Sequence, residues 1–166
     1  MKQGQRHILI VGGAYAGLST VQNLISILNG KGCLASPIPL SEPKTLPSIK
    51  PRITILDERD GFFHTMGAPL AHSSSSYAST AWKAFNEIPS LGDNGISVLR
   101  GRASSLNPAD KVLRFKESAS GSEREVEYDY LVAATGLKRE WPVVLGSLTR
   151  RDICLMRKGS LKGWKM

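Results

Sequence analysis

Cysteine is scarce in this chain: 166 residues hold two, Cys33 and Cys154, in neither a CxxC nor a CxxxxC pair. That excludes a disulfide scaffold, a zinc knuckle and a redox dithiol, and each reads as a thiol outside any disulfide or metal site. Long apolar runs are missing as well. The longest near the N-terminus, Ile8–Val11, is far shorter than the apolar core of a secretory signal or the ~20 residues that cross a bilayer. A cytoplasmic location without a transmembrane segment is the expectation. Composition marks neither disorder nor a collagen-like class, with 41% hydrophobic and 22% charged residues, and the length suits one domain with a single core.

Acid is in short supply at the C-terminal end. From Lys138 onward eight Lys or Arg face only Glu140 and Asp152, so most of the formal net charge of +8 sits there and the rest of the chain is nearly neutral. Residues 143–166 are expected to form a basic, poorly ordered tail. Such an end attracts nucleic acid or anionic lipid by electrostatics alone. The aromatic interleaving of single-strand binders is lacking apart from Trp164, so no nucleic-acid partner is expected.

What is present begins at "HILIV", residues 7–11, a short buried strand. After two glycines, Leu18, Val21, Leu24, Ile25 and Leu28 recur at three- and four-residue spacing and predict one helix face from Tyr15 to Asn29. Gly30 and Gly32 end it. Residues 31–51 carry Pro37, Pro39, Pro43, Pro47 and Pro51 without a period and read as a surface insertion. "RITILDERD" is a second strand, giving a right-handed βαβ unit with parallel strands. "GFFHTMGAPLAHSSSSYAST" reads as loop and "AWKAFNEI" as a helix. "GISVLRGRASSL" is a third strand, "KVLRFKES" and "REVEYD" pair as a hairpin over residues 111–128, and "YLVAATG" is a last buried strand.

A strand that runs through a glycine turn into a helix points unpaired N–H groups and the helix dipole at one spot, an anion site. The dinucleotide form wants three glycines: for the tight turn, for approach of the pyrophosphate, and for close helix packing. Gly12 and Gly17 fill the first and third places, and Ala14 takes the second. A carboxylate ending the second strand binds the adenosine ribose. Asp57 stands there, with Glu58 as the adjacent alternative, and the proline-rich insertion explains a spacing beyond the usual ~20 residues.

With "VGGAYAGLS", "ITILDERDGFFHTMGAPLAH" and "YDYLVAATG" in this order, residues 6–142 resemble the FAD-binding pyridine-nucleotide oxidoreductases. The likeness is to the N-terminal portion of the apoptosis-inducing-factor-like and type II NADH dehydrogenase-like branch. The resemblance implies an α/β, Rossmann-like FAD-binding fold, a parallel sheet with a small antiparallel hairpin or meander, truncated. It implies FAD as cofactor, with Gly12, Gly13, Ala14 and Gly17 at the pyrophosphate and Asp57 at the ribose. Ala103, near the end of the third strand, would meet the adenine, and Ala134, Thr135 and Gly136 would close on the cofactor. No catalytic residue is assigned. A disulfide reductase is not expected, because no dithiol follows Gly17, and the Tyr-x-x-x-Lys pair of short-chain dehydrogenases is missing. His64 and His72 read as solvated or structural loop histidines, and Tyr15 as packed in the turn.

Relatives continue into a second βαβ fold for NAD(P)H and a final flavin segment, neither of which is in these residues. The expected function is that of an FAD-dependent NAD(P)H oxidoreductase, hydride passing from nicotinamide to flavin to a quinone or other small acceptor. The chain alone, as an N-terminal half, is expected to be marginally stable with little hydride transfer. The alternative is a non-catalytic adenine-nucleotide-binding or interaction module. The insertion and the "GGAYAGLS" wording look most like filamentous-fungal members, some of which act in secondary-metabolite pathways.

Overall fold

His7–Val11 (β1) alternates its side chains between two cores, because successive residues of a strand point to opposite faces. A computed structural model describes residues 4–33, 49–137 and 148–156. On one face of the sheet Leu9 and Val11 pack with Leu56, Leu113, Phe115 and Val126. On the other, Ile10 packs with Ile53, Ile55, Phe85, Leu91 and Val21 of the helix Tyr15–Leu28 (α1). A strand covered on both faces reads as a continuous apolar run, which is why "HILIV" lacks polar alternation.

β1 lies between two parallel neighbours. Ile8 is in register with Ile53 of Arg52–Asp57 (β2) and with Tyr130 of Tyr130–Ala133 (β8). β2 pairs in parallel with the first part of the eleven-residue strand Ser97–Asn107 (β5). The rest of β5 turns antiparallel against Val112–Glu117 (β6), followed by Glu123–Glu127 (β7). The six-stranded order is β7-β6-β5-β2-β1-β8. Its four parallel strands run third-second-first-fourth along the chain, as in a doubly wound nucleotide fold. The α/β architecture with a meander at residues 111–128 is therefore present. Residues 34–48 of the proline-rich insertion lie outside the described residues.

Residues 61–92 depart from expectation. The stretch read as loop contains Gly61–Phe63 (β3), a 3₁₀ turn at Thr65–Gly67, and the helices Ala68–Ser73 (α2) and Ser75–Thr80 (α3). The serine run is not simply a linker, since the Ser74 hydroxyl accepts the Tyr77 N–H at 3.4 Å at the start of α3. The stretch read as helix is instead Trp82–Ala84 (β4), antiparallel to β3, and a 3₁₀ turn at Phe85–Glu87, followed by the single helical turn Pro89–Gly92 (α4). Tertiary packing overrides local propensity here. Trp82 is buried against Phe63, Ala68, Ala71, Ala78 and Ala81, and its Nε1 donates to Asp60 Oδ1 at 2.8 Å.

The segment expected to be a poorly ordered tail contributes to this second core. Arg150–Met156 (α5) buries Ile153 in it. Arg150 reaches Glu87 Oε1 and the Ser79 carbonyl, each at 3.2 Å. The Leu148 carbonyl accepts the Asp60 N–H at 3.1 Å. The Cys154 side chain and residues 157–166 lie outside the described residues.

At the opposite end of the sheet from the glycine turn, His7 is 2% exposed. Its Nδ1 lies 2.5 Å from the Glu127 carbonyl and 2.8 Å from Arg52 Nη2, and its Nε2 lies 2.8 Å from Thr54 Oγ1. The His7 N–H and the Arg6 guanidinium hold the Asp129 carboxyl below the ordinary carboxylate range. Burial holds the His7 imidazole below its ordinary value, more than the Glu127 carbonyl raises it. A group depressed on folding contributes its stability above its unfolded pKa, roughly 6.5 for imidazole, and loses it as pH falls through the folded value. His7→Gln is expected to lower the melting temperature at pH 7.5, by about 1–2 kcal/mol of stability. That gap should narrow toward pH 5; a constant gap in melting curves across this range would show that His7 does not titrate with folding.

Candidate functional site

The parallel strands deliver their C-terminal ends to one cleft of about 270 Å³, lined by Gly12, Ala14, Asp57, Ala103, Ala134 and Thr135 among others. Six of the nine residues expected at a cofactor thus meet on one surface. The other three do not line it. Gly13 lies beneath, donating its N–H to Asp57 Oδ2 at 2.6 Å. Gly17 faces the Gly12 carbonyl, and Gly136 has φ +71° with open space around it.

Two glycines are required by what surrounds them. Gly12 has φ +106°, a conformation that L side chains rarely adopt, and a Cβ there would run into the Ala134 carbonyl. Its N–H donates to the Leu56 carbonyl, and Ala134 N–H donates to the Val11 carbonyl, each at 2.8 Å. The turn is thus strapped to both neighbouring strands. A Cβ at Gly17 would overlap the Gly12 carbonyl oxygen, so α1 approaches the turn as closely as backbones allow. Ala14 is the N-cap of α1 without a side-chain cap, and no acid stands in the first turn. The start of α1 thus carries no cap or acid of its own, and apart from the Asp57 carboxylate on Gly13 N–H nothing in its first turn opposes an anion.

Asp57 ends β2 with both oxygens engaged: Oδ2 with Gly13 N–H and Oδ1 with Arg59 N–H at 2.8 Å. A carboxylate has about four lone-pair directions, so two remain for further donors. Ala103 is not near the end of its strand as expected but midway along β5, where the register with β6 shifts between Ala103 and Ser105. The bulge turns the backbone at the cleft wall. Glu58, Arg59, Gly101 and Arg102 also line the cleft, with Arg102 Nε 3.8 Å from Glu58 Oε2. Only Glu58 of these was anticipated. The signal for the two arginines was their position beside Asp57 and Ala103.

The histidines divide. His64 Nδ1 lies 2.6 Å from the Tyr15 hydroxyl, so it is not simply solvated. His72 falls on α2, with its side chain outside the described residues. Among the described residues no cluster of His, Cys, Asp or Glu is arranged to hold a metal, and no helix is long and apolar enough to cross a membrane.

Sheet order, glycine turn and strand-end acid define a doubly wound, dinucleotide-type α/β fold, and the curated proteins it resembles over part of their length are an oxidoreductase and a reductase by name. No family model matches the chain. Oxidoreductase OXR1 from Ajellomyces capsulatus is 39% identical over 149 residues, covering 87% of this chain and 32% of that protein. The sulfide-quinone reductase of Aquifex aeolicus is 25% identical over 138 residues, covering 80% and 25%. Among solved structures, NDH2 from Plasmodium falciparum in complex with NADH has a TM-score of 0.60 at 18% identity, covering 82% of this chain and 23% of that one. The chain thus spans 32% and 25% of the lengths of these two curated relatives.

Proposed function

We infer that the cleft binds FAD and that the chain is the N-terminal, FAD-binding portion of an NAD(P)H oxidoreductase. The observation that carries this reading is the convergence of the uncapped α1 N-terminus, the glycine turn and Asp57 on one cleft. The residues fit the group, since Gly12 and Gly17 let the turn close against Ala134 and α1 close against the turn where a Cβ would collide with backbone, which brings the start of α1 to the cleft that Gly12 and Ala14 line. The first N–H groups of α1 hold the diphosphate. Asp57 accepts from the adenosine ribose hydroxyls with its remaining lone pairs. The Ala103 backbone meets the adenine edge, and Ala134 and Thr135 close the cleft from β8. When bound, FAD supplies a two-electron carrier between NAD(P)H and a quinone or other small acceptor. NADH in the Plasmodium neighbour and quinone in the name of the Aquifex relative favour this donor and acceptor.

Titration of the purified chain with FAD and, separately, with ADP tests the reading. Saturable binding of both, with a yellow protein after removal of free flavin, is the expected result. Binding of ADP without FAD would instead establish the non-catalytic adenine-nucleotide module. Binding of neither would remove the cofactor assignment altogether.

A further inference from the structure

A carboxylate reads a ribose well only when the groups behind it hold its oxygens in place. The two N–H groups that hold Asp57 come from different loops, Gly13 in the glycine turn and Arg59 in the loop after β2. One short segment, Trp82–Phe85, braces both. The buried Phe85 ring packs against Gly13, where an added Cβ would run into its Cζ. The other end of the brace is Asp60, the residue after Arg59. Its carbonyl accepts the Phe85 N–H at 3.1 Å, its Oδ1 accepts the Trp82 Nε1–H at 2.8 Å, and its own N–H donates to the Leu148 carbonyl at 3.1 Å. Gly61 admits this approach, since a Cβ there would meet Trp82 Nε1 and the Lys83 carbonyl. Trp82 is itself buried in the core that Phe63 and Ile153 share.

We propose that Asp60 is a positioning residue, which through its hydrogen bond from Trp82 sets the Asp57 carboxylate against the adenosine ribose. The proposal rests on the FAD reading above and deepens it. Asp60 does not line the cleft, so it acts through Arg59. With residue 60 pinned to the small core by side chain and backbone, the Arg59 N–H is held in one direction and fixes Asp57 Oδ1. Gly13 N–H, whose place Phe85 supports, fixes Oδ2. The side-chain bond is the separable part of this brace, because the backbone bonds of residue 60 do not depend on its side chain. The indole N–H can only donate, and left without an acceptor in a buried residue it costs free energy. Trp82 therefore holds Asp60 rather than merely touching it. Once that bond is broken, the loop from Asp57 to Asp60 gains freedom and the ribose loses a well-aimed acceptor, while the glycine turn and the start of α1 stay where β1 puts them.

ADP and 2′-deoxy-ADP differ in one ribose hydroxyl, so the ratio of their dissociation constants reads the ribose contact. A smaller folded fraction weakens both ligands by the same factor and cancels in that ratio, which separates positioning from stability. Wild-type protein is expected to prefer ADP about tenfold. Asp60→Ala removes the acceptor and Trp82→Phe removes the donor while keeping a ring in the core; each should cut the preference to about twofold or less. Asp60→Asn keeps a side-chain oxygen for Trp82 Nε1–H and should stay within about twofold of the wild-type ratio. A full preference that survives in either Asp60→Ala or Trp82→Phe overturns the proposal, since the bond would then serve stability alone. So does an Asp60→Asn protein that loses as much as Asp60→Ala, because charge and not the bond to Trp82 would be at work. Wild-type protein that binds both nucleotides equally takes Asp57 off the ribose and the proposal falls while the cleft stands. Wild-type protein that binds neither sinks the cofactor reading itself, a result visible before any variant is made.

Discussion

Gly17→Ala is expected to lower the melting temperature by about 10 °C and to abolish FAD binding, whereas Gly92→Ala should leave both nearly unchanged. Both positions are helical, so alanine gains up to ~1 kcal/mol of helix propensity at either one. They differ in their neighbours. A Cβ at Gly92 meets nothing within 4 Å, while at Gly17 it would overlap the Gly12 carbonyl oxygen. That oxygen belongs to a turn tied to β2 through Gly12 N–H, so no side-chain rotation relieves the contact and α1 must move off β1. Displacing it uncovers Val21 from Ile10 and Ile55 and withdraws the N–H groups from the diphosphate position. A net loss of roughly 3 kcal/mol corresponds to about 10 °C for a chain of this length. Thermal melts with and without FAD read both effects. A Gly17→Ala protein that melts like wild type would mean that the helix does not pack on the turn.

The same contact explains why this half of the fold was legible in the sequence. Each element around the turn carries its own signal: β1 and β2 as short apolar runs, α1 as a stripe from Leu18 to Leu28, and the turn as glycine. Asp57 was legible despite the insertion, because it ends a strand and the sheet fixes its place whatever the loop length. The antiparallel hairpin announced itself through alternation, with Leu113 and Phe115 inward and Arg114 and Lys116 outward. Residues 61–88 had no such signal. Their helices are six residues long and bury alanines, too short and too weakly amphipathic for a period to show. "AWKAFNEI" has helical spacing, yet Trp82 and Phe85 are drawn into different cores, and that division forces the chain out of a helix. α5 was hidden for a related reason. Its charge reads as a solvated tail, and only the fold brings Glu87 and the Ser79 carbonyl within reach of Arg150. The Tyr15–His64 pair joins two elements by one hydrogen bond across the sheet's end, which no local pattern encodes.

Asp57→Ala is expected to weaken FAD by roughly 30- to 1,000-fold, the loss of about 2–4 kcal/mol that hydrogen bonds to a charged acceptor supply. Two effects combine in that figure. The ribose hydroxyls lose their acceptor, and the Gly13 and Arg59 N–H groups, now bonded at 2.6 and 2.8 Å, lose theirs. The second effect loosens the turn that holds the diphosphate. Asp57→Asn separates them, since its one remaining oxygen keeps two lone pairs for one turn N–H and a ribose hydroxyl while its NH2 faces the other N–H as a second donor, and an intermediate affinity is expected. Selectivity supplies an independent readout. The Asp57 carboxylate repels a 2′-phosphate, while Arg59 and Arg102 on the same wall attract one. Wild-type protein should therefore prefer ADP to 2′,5′-ADP, and Asp57→Ala should reverse or erase that preference. If both ligands weaken in parallel and the preference survives, Asp57 acts through the turn and some other group reads the ribose.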